Sequence, residues 1–217
     1  MTRLTKRQLL EPLARLRKDQ IVVTTMSTVR PWAQFSNHPL DFASADSAMG
    51  HAADFALGLA LAQPQRQVIC LNGDGSMLMT LGTLVTIVHA GARNLILFVV
   101  QNDAYEVTGN QPIPGARLVD FSGFARSAGF PSTYTFAEAQ PYEKALPEIL
   151  RSPGPVCVTV KVEPGAEGPL SRRSDESAHY LRCSLAESVR VLRTSLSRQG
   201  RLEASEARSA SSASCES

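Results

Sequence analysis

Cysteine is scarce in this chain, and the four present, Cys70, Cys157, Cys183 and Cys215, show no C-x-x-C spacing. Cys70 and Cys157 lie inside apolar runs, where a reduced thiol packs as a small hydrophobe. Disulfides, iron–sulfur clusters and zinc sites are therefore not expected. Long apolar runs are missing too. Nothing approaches the roughly 20 residues needed to span a bilayer, and the charged opening "MTRLTKRQLLEPLARLRKDQ" does not read as a secretory leader. A soluble cytoplasmic protein is the expectation. Nor does one sign of charge dominate: 22 basic residues against 20 acidic ones leave +2, without a basic stripe interleaved with aromatics, so nucleic acid is not expected as a partner. The Gly-rich nucleotide signatures are also lacking. A dinucleotide fingerprint begun at Gly73 and Gly75 needs a third Gly where Leu78 stands, and a P-loop needs a G-K-S or G-K-T that does not occur.

What remains is a 217-residue chain, 43% hydrophobic, long enough for one core and an appendage. Short β-rich runs alternate with helical patterns. The spacing of Leu9, Leu10, Leu13 and Leu16 predicts a helix, and Gln20 to Thr25 a buried strand. Ser47 to Ala62 reads as an Ala-rich helix, Gln67 to Leu71 as a strand, and Thr80 to Ala90 as a helix with Leu81, Leu84, Val85 and Val88 inward and Gly91 as its C-terminal cap. Leu95 to Val100, "STYT" and "PVCVTVKV" complete the strands, with helices ending at Gly129 and running near Tyr142 to Leu150. Strands separated by helices pair in parallel, so the expected fold class is α/β, a three-layer doubly wound parallel sheet over residues 1–165. Residues 166–217 read as a tail with a short amphipathic helix at Leu185 to Leu196 and disorder from about Gln199.

Two turns stand out. "GDGS", Gly73 to Ser76, closes one strand-like run, and "QNDAY" closes the next. In an open parallel sheet ligands bind beyond the carboxyl ends of the strands, so the two turns should be neighbours. Gly73 and Gly75 let a ligand approach the backbone, and Asp74 and Asn102 offer an anionic and a neutral oxygen, part of a magnesium shell completed by phosphate and water. Taken alone, the tetrapeptide reads rather as a tight strand-to-helix turn capped by Asp74, and it is the paired Asn102 turn that favours the ligand site.

In this order the two motifs resemble the thiamine diphosphate motif of the pyrophosphate-binding domain of thiamine-dependent enzymes. "ADSAMGHAADFALGLALA" resembles the "GSMG" segment of that domain, and "AYEVTGNQP" the "TGGQP" loop of sulfopyruvate and phosphonopyruvate decarboxylases. The resemblance implies the thiamine diphosphate-binding fold. It implies magnesium held by Asp74, Asn102 and the carbonyl of Ala104, a diphosphate contacted by Ser76 among Gly73, Gly75, Tyr105 and Thr25, and an aminopyrimidine held at Ser47, Met49 and Gly50. Met49 is either a core methionine or the apolar wedge that bends the cofactor. His51 is either a helix-face residue or a proton donor and anion ligand beside the substrate, the one candidate catalytic side chain. The hydroxyls of Thr24, Thr25, Ser27 and Thr28, with Arg30, stand at the same sheet end. Asn110, Asp46 and the Gly-free "TTMSTVR" turn depart from the family pattern.

The same resemblance implies a β-type subunit. The carboxylate that contacts the aminopyrimidine would come from a pyrimidine-binding, α-type partner subunit, making a hetero-oligomer. The implied reaction is non-oxidative decarboxylation of a small 2-oxo acid to an aldehyde. A 2-oxoacid oxidoreductase β subunit and a cofactor-binding subunit without turnover remain the alternatives.

Overall fold

The computed structural model describes residues 3–43, 49–168 and 173–197. Eight strands occur there: β1 (Ile21–Thr24), β2 (Asp41–Ala43), β3 (Val68–Gly73), β4 (Leu95–Gln101), β5 (Ala104–Tyr105), β6 (Gln111–Pro112), β7 (Ser132–Phe136) and β8 (Val156–Lys161). Six of them form one all-parallel sheet in the order β2-β1-β3-β4-β8-β7, and β5 and β6 form a separate antiparallel ribbon. The helices are α1 (Lys6–Leu16), α2 (Val29–Ala33), α3 (Ala52–Ala62), α4 (Asp74–Met79), α5 (Thr83–Ala90), α6 (Phe121–Ala128), α7 (Ala139–Ile149) and α8 (His179–Arg182), followed by α9 over 185–197.

Strand alternation builds the three layers. On β4, Ile96, Phe98 and Val100 pack on one face with α1, α2, α7 and α8, while Leu95, Leu97 and Val99 pack on the other with α3, α5 and α6. A strand covered on both sides is apolar nearly throughout, which is why β4 reads as an unbroken hydrophobic run to Val100 and β8 as one interrupted at Thr159, whose hydroxyl bonds Ser122. The expected α/β three-layer architecture is what the chain adopts. The C-terminal segment is docked on it: Ala178, Tyr180 and Leu181 are buried on the α1 face, and Leu192 of α9 on the opposite face.

Local signals explain several boundaries. Thr5 and Gln8 form a reciprocal capping box that starts α1, and Gly91 and Gly129 end α5 and α6 in left-handed conformations. Other boundaries differ from the sequence reading. Helix α3 begins at Ala52, and Asp46, Ser47 and Ala48 lie outside the described residues, as do Cys215 and the stretch from Gln199 onward. Helix α5 begins at Thr83 and buries Leu84 and Ile87, leaving Val85 59% exposed, because a turn at Leu81 and Gly82 resets the helical phase. Cys70 and Cys157 are free and buried. Among the described residues, no helix is long and apolar enough to cross a membrane.

Candidate functional site

The sheet changes direction of growth at β1: the chain goes from β1 outward to β2 and then returns to β3 on the other side. Such a switch point opens a crevice at the carboxyl ends of the strands. A cleft lies there, lined by Met26 and Ser27 after β1, Gly73 to Ser76 after β3, and Asn102 and Ala104 to Thr108 after β4, with Met49 joining from the segment before α3. Gly73 and Val100 are register partners, which sets Asp74 and Asn102 side by side at adjacent strand ends.

Asp74 is 1% exposed. Its Oδ2 accepts the Asp103 N–H at 2.6 Å and its Oδ1 the Gly75 N–H at 2.8 Å. Burial pushes its pKa up to about 6 against the pull of those two N–H groups. Among the described residues its hydrogen-bond partners are backbone groups, with no Lys or Arg beside it. A buried carboxylate without a cation is the chemical complement of a divalent metal.

Asn102 is also buried. Its Oδ1 accepts the Ala104 N–H at 3.1 Å and its Nδ2 donates to Glu106 Oε2 at 2.7 Å. The intervening Asp103 is left-handed at φ 62°, tied by Gln101 Nε2 at 3.0 Å, by the Arg117 N–H at 3.1 Å, and by an ion pair with Arg3 that helps hold its carboxyl low. Ala104 and Pro112 face each other in the β5–β6 ribbon as a non-hydrogen-bonded pair, next to the bond from the Ile113 N–H to the Asp103 carbonyl, so the Ala104 carbonyl is turned away from β6. Asp74, Asn102 and Ala104 all line the one cleft, and each carries an oxygen of the kind that magnesium takes.

The neighbouring groups suit a phosphate-bearing ligand. Ser76 Oγ accepts the Gly50 N–H at 2.9 Å, leaving its own proton to donate, and Thr80 Oγ1 donates to the Gly50 carbonyl. A Cβ built on Gly73 meets nothing within 4 Å, so the space beside that backbone is open. Gly75 is different: a Cβ there would lie 2.5 Å from Cε1 of Tyr105, so this glycine is what lets the aromatic ring close over the turn.

Of the residues expected at the site, Met49, Gly73, Asp74, Gly75, Ser76, Asn102, Ala104 and Tyr105 line the cleft, and Gly50 bonds to its wall. Thr25 is fully buried and not among the lining residues. His51 is not among them either; its exposed ring lies against Asp54 at 2.9 Å at the start of α3. Ser47 lies outside the described residues. In the Gly-free turn after β1, Met26 itself takes a left-handed backbone at φ 49°, and Asn110 does the same at φ 60° after Gly109. Both positions keep the backbone that glycine would allow, Asn at lower cost than Met.

The sequence reading gave no role to Met26, Glu106 or Val107, which also line the cleft, although it quoted the last two within the "AYEVTGNQP" loop. A lone Glu in a loop carries no mark of burial; what buries Glu106 includes an ion pair with Lys6, far away in the chain.

A family model described as "Thiamine pyrophosphate enzyme, C-terminal TPP binding domain" matches residues 24–160, from the end of β1 through β8. The chain belongs to this family. As a thiamine pyrophosphate-binding domain it is 42% identical over 117 residues to the sulfopyruvate decarboxylase subunit beta of Methanothermobacter thermautotrophicus, covering 54% of this chain and 60% of that one. It is 33% identical over 161 residues to the phosphonopyruvate decarboxylase of Streptomyces viridochromogenes, covering 74% and 40%. The match thus spans about half the length of these relatives. The fold of the thiamine diphosphate-dependent 4-hydroxybenzoylformate decarboxylase of Rhodococcus jostii RHA1 superposes with a TM-score of 0.64 at 22% identity, over 77% of this chain and 34% of that one.

Proposed function

We propose that the chain is the β-type subunit of a thiamine diphosphate- and magnesium-dependent 2-oxo acid decarboxylase of the sulfopyruvate or phosphonopyruvate type. The observation that carries the reading is Asp74, buried without a cation beside it and side by side with Asn102 at the switch point. Asp74, Asn102 and the Ala104 carbonyl would hold the metal, and Ser76 with the backbone at Gly73 would hold the diphosphate. Met49 would set an apolar surface beneath the cofactor. When bound, thiamine diphosphate supplies the electron sink for loss of carbon dioxide from the 2-oxo acid. The residues of the chain itself would position it and hold the metal that offsets the charge of its diphosphate.

Two features support a partner subunit. The only carboxylates lining the cleft among the described residues are Asp74 and Glu106, and Glu106 is engaged by Lys6, the Asn102 amide and the Glu167 N–H. We take the carboxylate for the aminopyrimidine to come from a pyrimidine-binding, α-type partner, in line with the relative named as a subunit beta. No Lys or Arg lines the cleft among the described residues, so none of the lining residues supplies a cation for an acidic substrate head group.

The test is calorimetric titration of thiamine diphosphate with Mg2+ into the chain and into Asp74→Ala, repeated with a pyrimidine-binding subunit and then with 2-oxo acids. Magnesium-dependent binding lost in the variant, and aldehyde release only with both subunits, are the expected results. Binding indifferent to Mg2+ and to Asp74 would overturn the assignment.

A further inference from the structure

Glu106 lies in the cleft wall with its side chain 1% exposed, and the metal site described above makes no use of it. Its two oxygens are divided between different tasks. Oε1 receives Lys6 Nζ and the Glu167 N–H, the latter at 3.0 Å; among the described residues Oε2 receives the Asn102 amide alone, at 2.7 Å. An ionised carboxylate accepts and cannot donate, so the group that Asn102 turns toward Glu106 must be its NH2. On the other side, the Ala104 N–H can only donate, so the group turned toward it must be the amide oxygen. The two constraints agree, and together they leave the Asn102 carboxamide one orientation.

We infer that Glu106 is a positioning residue: it fixes the Asn102 carboxamide with its oxygen toward the metal position, and the ion pair with Lys6 holds Glu106 in place to do so. This rests on the reading of Asp74 and Asn102 as metal ligands. Before a cation arrives, a carboxamide free to flip would turn its NH2 toward that position about as readily as its oxygen, and reorienting it would cost binding energy. With Glu106 in place the wrong orientation sets an NH2 against the Ala104 N–H and an oxygen against a buried carboxylate. The arrangement also explains why position 102 carries an amide where a carboxylate would be a stronger magnesium ligand: a carboxylate there would face that of Glu106 across 2.7 Å.

The polarity of the pair can be reversed without changing its charge. Asn102→Asp alone should weaken magnesium-dependent thiamine diphosphate binding by about tenfold or more, the range for groups that orient a metal ligand. In Asn102→Asp/Glu106→Gln, the new amide at position 106 donates to the new carboxylate at position 102 while its oxygen accepts from Lys6 and Glu167. Binding should then return to within about threefold of wild type, an interaction that a double-mutant cycle isolates. A double variant no better than Asn102→Asp, or an Asn102→Asp variant that titrates like wild type, overturns the inference while leaving the cofactor assignment standing. A second measurement needs no cofactor. In the 15N spectrum of the unliganded chain the Asn102 NH2 protons should exchange slowly, and Glu106→Ala should release them. Fast exchange in the wild type overturns the positioning role even if thiamine diphosphate binds. Slow exchange in a wild type that takes up neither Mg2+ nor thiamine diphosphate, alone or with a partner, keeps the polarity of the pair and overturns its assignment to a metal.

Discussion

At the residue scale the site weakens the fold it sits in. Asp74 ionises in the unfolded chain near the ordinary carboxylate value of 3.8 but only near 6 when folded, because burial disfavours its charge. Between those values the folded state keeps a proton that the unfolded state has lost, so stability falls as pH rises through the window and stays low above it. The loss is roughly 3 kcal/mol in the metal-free protein. Urea melts in EDTA from about pH 4 to pH 7 should show wild type losing that amount relative to Asp74→Asn; parallel curves would refute it. Gly75→Ala should cost about 1–3 kcal/mol, since the new methyl meets the Tyr105 ring at 2.5 Å and the ring must leave its place over the turn. A thermal melt measures the cost, and an unshifted midpoint would count against the contact. Asp74 and Asn102 were legible from sequence as a pair: each alone is an ordinary turn or cap residue, and two such turns closing apolar strands in the right order are what pointed to a site. Glu106 and Met26 were not: one is buried through a distant lysine and the other bends the backbone as glycine usually does.

At the element scale, what sequence showed was length. Strands β3, β4 and β8 run six or seven residues and announce themselves as apolar runs, whereas β2 has three residues and α2 five, too few for any period to emerge. The position of β2 is set by a buried ion pair instead. Arg17, just past α1, lies 3.2 Å from Asp41, the first residue of β2, with the two side chains 4% and 0% exposed. Asp41 also accepts from Ser36 Oγ at 2.6 Å and from the His38 N–H at 2.8 Å. Burial holds the Arg17 guanidinium below its ordinary range, so the pair is dry on both sides. Arg17→Met should therefore cost about 3–5 kcal/mol, chiefly by stranding the Asp41 charge, and Arg17→Met/Asp41→Asn should recover much of it. Equal losses in the single and double variants, read from denaturant midpoints, would mean that the pair acts through packing rather than charge.

At the scale of the whole molecule, the segment after β8 joins distant parts that its composition does not reveal. A window rich in Ser and Arg averages to a linker, yet Tyr180 and Leu181 enter the core on one face of the sheet and Leu192 on the other, with α8 touching β2 between them. The same segment reaches the cleft: the Glu167 N–H bonds Glu106, the Gly165 carbonyl accepts from Asn110, and Glu176 pairs with Arg30 at 3.2 Å. Each buried side chain contributes about 1.5–3 kcal/mol, so removing three of them puts roughly 5 kcal/mol at stake, comparable with the whole stability of many single domains. A chain ended at Pro164 should consequently melt at a much lower temperature than the full chain. Tyr180→Ala separates packing from the cleft contacts, because it removes one anchor, at about 3–5 kcal/mol, and leaves Gly165, Glu167 and Glu176 unchanged. If the segment matters to the site through those contacts, the truncated chain should bind thiamine diphosphate and Mg2+ less tightly than Tyr180→Ala at a temperature where both are still folded. Equal affinities there would assign the segment to the stability of the core alone.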